Sequence, residues 1–484
     1  MTVALRRVLM IALLVLVLVG TGVADRLVGR TSSPAAPARD ALSTVRVARG
    51  VATESSAWFC AGGSGAQGGA PATIVLTNGG PGPVHGTLTA VTASTSPTQA
   101  PWAGARTVAV TVPASGQMTV GATQLGSSGL IAAAVVLDGG GVAVSEVVQS
   151  PLGWSMAPCA PSTAPDWYFA HGATAVGGGL VLSLFNPTAT DAVVDVALVS
   201  STAGFTAPAA YQGIDVPPGS LITENIGDHA PDDPAIATEV STLSGGVVAT
   251  ELESVGSSGD GGLSLTLGSP APAPVWAFPQ STGIPGATVA FHVLNPTTRT
   301  AVVSVAVGLS QGAGAEPLTL HVPPQSLATL TGESETRIPT GAPYSLVFTS
   351  PGTGIVVSRQ VTAPAGSPAG IPESGDVPGV PGGSSHWLVP GLVAPGTQAW
   401  ALAVVDLGTR AATIRITTPG GRPIAGQPPR TVEPGSPLVI GPTPGLPFVA
   451  TPFEVAAGEP VAVELDVLPV AEAGVVVVPS FAIS

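Results

Sequence analysis

The densest run of ionisable side chains is Glu224-Asn225-Ile226-Gly227-Asp228-His229-Ala230-Pro231-Asp232-Asp233-Pro234. Carboxylates gathered in one loop supply the hard oxygen ligands that Ca²⁺ takes. The spacing follows neither the EF-hand loop nor a glycine-rich calcium repeat, so the run reads as an ordinary solvated loop. Gly308-Leu309-Ser310-Gln311-Gly312 matches the GxSxG nucleophile elbow, which works only on a strand–turn–helix corner. Here Ala313-Gly314-Ala315-Glu316-Pro317 leads into another strand-like segment, so no catalytic residue is assigned. The six histidines, at 85, 171, 229, 292, 321 and 386, stand singly, and no two are spaced i,i+2 or i,i+4. No metal pair is encoded locally, and no cofactor is expected. Paired glycosidase carboxylates would need a concave cleft that nothing in the sequence posits.

The only two cysteines are Cys60 and Cys159. One such pair without clustered histidines cannot close a zinc site, and a catalytic thiol would leave its fellow unexplained. In an exported chain the pair is most simply a disulfide. Export is the reading of the first residues. Arg6-Arg7 precedes Val8 to Ala24, an uncharged run rich in Leu, Val and Ile, and Asp25 and Arg26 follow. This fits a signal anchor or a signal peptide with a candidate cut after Ala24, and puts the rest of the chain outside the membrane.

What would position any of these groups is a repeat. Trp58, Trp167, Trp276 and Trp387 are separated by 109, 109 and 111 residues. About 19 residues after each, an apolar run ends in Asn78, Asn186, Asn295 or Asp406. A Pro/Gly/Ser corner follows, as in Pro217-Pro218-Gly219-Ser220, and each unit closes with a strand-like segment such as Val142 to Val148. In Asn186-Pro187-Thr188 and Asn295-Pro296-Thr297 the proline rules out glycosylation. Asn instead caps a turn through its own side chain, and Pro cannot continue a ladder. Glu146, Glu251, Arg359 and Glu464 recur in the closing segment and read as its solvent-facing side.

Short Val/Ala/Leu/Thr runs between Gly, Pro, Asn and Ser predict about seven strands in each unit of roughly 110 residues. The expected fold is all-β, with tandem immunoglobulin-like or fibronectin-like sandwiches. The boundaries are a signal anchor or signal peptide over 1–30, a tether over 31–43, and modules over 44–160, 161–269, 270–366 and 386–484. Residues 367–385 read as a Pro/Gly-rich linker. Pro-bearing joints before each tryptophan suggest a jointed rod. The fixed phase of the tryptophans suggests a place in cores or module joints rather than on a sugar-binding face.

Composition narrows the function. The net charge is −14, all 15 basic residues are Arg, and no basic stripe offsets the acids. A phosphate backbone would be repelled, which excludes nucleic acid as a partner. The apolar leader, the Trp-led units, the Asn-Pro-Thr turn and the Val-Pro-Pro-Gly-Ser corner together resemble a family of uncharacterised actinobacterial exported proteins, a domain of unknown function. The resemblance implies a membrane-anchored or secreted envelope protein and carries no functional residues. The expectation is a non-enzymatic structural or interaction protein of the bacterial cell envelope. It would be held to the membrane by its N-terminal segment, with envelope protein or glycan as partner. The alternative is an array of carbohydrate-binding modules, which requires exposed Trp or Tyr on a shared face.

Overall fold

The computed structural model describes residues 53–483 except 95–99, 127, 175–177, 257–261, 282–287, 310–314, 333–334, 339–342, 363–374, 392–396, 442–450 and 470–475. The apolar leader, the tether and residues 367–374 of the Pro/Gly-rich linker lie outside the described residues. The chain from Val47 to Ser484 forms one compact unit.

The first module sets the pattern. Its strands are β1 (Ala57–Ser64), β2 (Ala72–Asn78), β3 (Val84–Thr92), β4 (Arg106–Val112), β5 (Gln117–Gly121), β6 (Leu130–Leu137), β7 (Val142–Ser150) and β8 (Gly153–Pro158). They form two antiparallel sheets, ordered β1-β6-β3-β4 and β5-β2-β7-β8. Val, Ala, Leu and Ile side chains from the facing sheets fill the space between them, as a sandwich requires. β2 pairs with β5, as B pairs with E in an immunoglobulin domain, but its other neighbour is β7 where strand A would stand.

The later modules repeat this order. In the second, Gly179–Asn186 lies between Ser220–Asn225 and Val248–Val255, which pairs on with Gly262–Leu267. In the third, Gly375–Pro378 and Val380–Pro381 add an edge strand to each sheet. These residues fall within the stretch that composition read as linker. In the fourth, Phe453–Pro469 is long enough to serve both sheets.

The Pro-bearing joints do not space the modules apart, and the jointed rod expected from them is not what forms. Each joint is hydrogen-bonded into the sheets, with Ala164 bridging Val247 and Ala273 bridging Ile355. The modules touch in cyclic order. The core of the third takes in Ala170, Val199 and Ala237 of the second. The core of the fourth takes in Val75, Trp154 and Met156 of the first. Phe481 from the last described strand meets Trp58 edge-on, ring centroids 5.9 Å apart, and Thr53 N donates to Ala482 O at 3.1 Å. The physical reason lies in composition. Charged residues are 9% of the chain, so module flanks are apolar or weakly polar and lose more by staying wet than by meeting.

Candidate functional site

The four repeated indoles are buried, none more than 2% exposed. Trp167 Nε1 donates to Val247 O at 2.9 Å, Trp276 Nε1 to Ile355 O and Trp387 Nε1 to Val461 O at 3.0 Å. Val247 and Ile355 also bridge the joints, and Val461 pairs with Ser384, so each of these indoles locks the entry of its own module to the start of its closing strand. The indoles are buried and are not offered to a sugar at the surface.

The turn residues tie the sandwich together locally. Asn186 Oδ1 accepts from Thr188 N at 2.9 Å and Thr188 Oγ1 at 2.7 Å, while Nδ2 donates to Thr190 O and Val216 O, each at 2.8 Å. Asn295 repeats the set with Thr297, Arg299 O and Val322 O. Asp406 lacks the NH₂ group and instead accepts from Gly408 N and Ala412 N.

Cys60 and Cys159 are disulfide-bonded and buried. Counting along the ladders shows what fills this place elsewhere. Phe59 pairs with Ala160, Tyr168 with Ser269 and Ala277 with Val380. One step inward, the positions of Cys60 and Cys159 become Phe169 with Gly268, and Phe278 with Gly379. A Cβ on Gly268 would lie 2.8 Å from Phe169 Cζ, and one on Gly379 would lie 2.8 Å from Phe278 Cζ. Two modules therefore lay a ring over a glycine where the first has a covalent bond. Sequence reading missed this, although Gly268 and Gly379 could have been found by aligning on Cys159.

The charged residues of the closing strands depart most from expectation. Glu146, Glu251, Arg359 and Glu464 are buried rather than solvent-facing. Alternation along a strand reports two faces but not what covers the second, and here an edge strand and the neighbouring module cover it. The four are also not all in phase. Asn78 faces Val142, Asp406 faces Val461, and four residues on stand Glu146 and Leu465, so Glu464 projects from the opposite side of its strand.

These groups and their neighbours make polar seams. Glu146 Oε1 accepts from Gly63 N at 2.9 Å. The His171 ring of the second module lies against that of His292 in the third, centroids 4.0 Å apart, with His171 Nδ1 3.6 Å from Asp376 Oδ1. Arg359 of the third donates to Glu464 of the fourth and to its own module's Gln280 O. Gln117 of the first exchanges two hydrogen bonds with the Gly391 backbone of the fourth. His171 and Gln280, like Gly62 and Gly391, stand four residues beyond their repeated tryptophans, a phase legible only once a seam was known to exist.

Burial sets the protonation states. It pushes Glu146 and Glu253 up to about 7 and Glu251 up to about 8, with hydrogen bonds to the charged form only partly opposing it in each. Asp376 is raised well above the usual carboxylate range by burial first and then by Glu253. Burial lowers His292 to about 4, and burial with the neighbouring His292 holds His171 well below the ordinary imidazole value. For Arg359 burial opposes the charge, yet Glu464 and Asp466 hold its pKa above the ordinary guanidinium value.

Between the modules lies a cavity of about 160 Å³ lined by all four. Its wall includes Met156, Phe169, Leu265, Val377 and Val477, with Asp376, Ser358 and Ser480 among the polar groups.

The other sequence candidates fall apart. Asp233 is buried and accepts from Ser200 Oγ and Ala235 N, Asp228 accepts from Asn225 Nδ2, and His229 meets the Tyr211 ring. Among the described residues no three His, Cys, Asp or Glu side chains are placed to hold a metal ion. Gly308 lies in a strand against the Gly435 backbone, where a Cβ would meet Gly435 O at 2.0 Å. Ser310 is outside the described residues.

The profile of a family of unknown function, DUF5719, matches residues 141–433. No curated protein matches. Among solved structures, the crystal structure of Thermotoga maritima 1070 is 13% identical, with a TM-score of 0.20 over 22% of this chain and 93% of its own. The tetra-tandem repeat in the extending region of a large adhesion protein is 12% identical, with a TM-score of 0.10 over 84% and 92%.

Proposed function

The chain belongs to that family of unknown function, and from this premise we propose that it is an exported, non-enzymatic structural or interaction protein of the bacterial cell envelope, of the actinobacterial kind. The observation that carries the reading is the buried Cys60–Cys159 disulfide in a chain whose first residues read as a leader. Disulfides form and persist in oxidising compartments. Among the described residues no helix is long and apolar enough to cross a membrane. The apolar segment Val8 to Ala24 would supply the anchor, and the partner is envelope protein or glycan. The repeated residues support a scaffold role, since Trp, Asn and the closing-strand charges all serve cores, turns and seams. Sugar stacking on the repeated indoles draws no support from their burial.

Protease added to intact cells, with thiol alkylation of the lysate, tests this. The full chain is expected to be cleaved from outside and to carry no alkylatable thiol. A protected chain with two free thiols would overturn the proposal.

A further inference from the structure

We propose that the cavity between the four modules is a binding site for a small neutral organic molecule, one with an apolar body of roughly six to ten non-hydrogen atoms and a single hydroxyl. The size argument is direct. A cavity of 160 Å³ matches in scale the ~150 Å³ apolar cavity that takes up benzene, and it is far too small for a peptide or an oligosaccharide. The wall chemistry sets the class. Met156, Phe169, Leu265, Val377, Val477 and the two indoles Trp276 and Trp387 present apolar surface.

Set into that surface are Asp376 and Ser358, 5% and 2% exposed, and Ser480. Ser480 Oγ is buried without a hydrogen-bond partner, while Asp376 Oδ1 faces His171 Nδ1 at 3.6 Å and the Ser358 hydroxyl acts on the same carboxyl. Buried polar atoms with unused hydrogen-bonding capacity favour a ligand group that completes it, and Ser480 and this carboxyl lie on one wall. A hydroxyl both donates and accepts, and so meets a carboxyl and a serine together. A few convergent polar groups in an otherwise apolar concavity is how small-molecule sites are built.

The charges argue for neutrality. No Arg or His lines the wall, so an anion finds no counter-charge. Glu464 is matched by Arg359, and burial raises Asp376 well above the usual carboxylate range, which disfavours the charged form a cation would need. The inference goes beyond the envelope role and is tested in vitro, so it stands or falls whatever the location of the chain.

The experiment is calorimetric titration of the purified full chain with benzyl alcohol, toluene, benzoate and benzylamine. Benzyl alcohol is expected to saturate at one site and to bind at least fivefold tighter than toluene, with benzoate and benzylamine at least tenfold weaker than the alcohol. Asp376→Leu should bring benzyl alcohol and toluene to equal affinity. Val477→Trp, which fills the cavity from a partly exposed edge strand, should abolish both. A variant-free readout is a crystal soaked in 4-bromobenzyl alcohol, whose bromine should lie within the cavity. Non-saturating heats, alcohol binding unaffected by Val477→Trp, or bromine only elsewhere would overturn the proposal.

Discussion

Arg359 of the third module donates through Nη2 to Glu464 of the fourth, and Asp466 Oδ1 stands 3.8 Å from the same nitrogen. All three side chains are buried, so the pair lies where removal of one member strands a charge. Arg359→Met is expected to cost about 3–5 kcal/mol, and adding Glu464→Leu should recover at least half of it. Urea unfolding of the single and double variants measures this. A single variant within 1 kcal/mol of the parent would show that the seam does not depend on the pair.

The place shared by the disulfide and the two Phe-over-Gly contacts makes a paired prediction. Gly268→Ala forces its Cβ against Phe169 and should cost about 1–3 kcal/mol. Phe169→Cys with Gly268→Cys should oxidise spontaneously in the second module and raise the midpoint of unfolding. A mobility shift with and without reductant reads the bond, and persistent free thiols would show that the ladder positions are not equivalent.

Loss of the native bond by Cys60→Ala with Cys159→Ala should cost about 2–5 kcal/mol, because it closes a loop of 99 residues. The thermal midpoint should fall to the same degree when the parent chain is reduced. A difference between the two treatments would mean that the alanines disturb the core by themselves.

The buried acids make stability depend on pH in a definite direction. Glu251 stands at about 8 and Glu146 and Glu253 at about 7, against an ordinary 4.5. The native state therefore keeps protons that the unfolded chain releases. Their stabilising contribution is full below pH 4.5 and is lost as pH rises through 7 and 8. His292, at about 4 against 6.5, acts oppositely, its contribution being present above pH 6.5 and lost as pH falls through 4. Above pH 6.5 only the acids remain, so stability should decline from pH 6.5 to 8.5, by about 1 kcal/mol per acid for each unit of its window. Urea midpoints across that range check it. Glu251→Gln should flatten the profile, and a flat parent profile would refute the assignment.

Asn186 and Asp406 hold the same place with opposite hydrogen-bond needs. Asn186→Asp would turn a carboxylate toward the Thr190 and Val216 carbonyls that Nδ2 now serves, at a cost of about 3 kcal/mol. Thermal unfolding at pH 7 measures it, and an unchanged midpoint would mean that the turn re-pairs through water.

The modules were legible because their markers are local. A strand alternates over a few residues, Asn-Pro-Thr stops it, and Trp recurs at a nearly constant interval. The seams were not legible, because each is assembled from single residues far apart in the chain, such as His171, His292 and Asp376. Nothing in the sequence near His171 announces a second imidazole 121 positions later. The closing-strand charges misled for a related reason: Glu251 and Arg359 alternate with apolar neighbours as surface residues do, and only the adjoining module distinguishes them.

Thr53 and Ala482 share a hydrogen bond, so the fold brings its first described residue and its last described strand to one spot. Connectivity is then a convention rather than a requirement. A circular permutant that joins these ends by a short linker and opens at Pro270 keeps every sandwich whole, relocates the severed seam, and should refold to the same cyclic neighbourhood of modules.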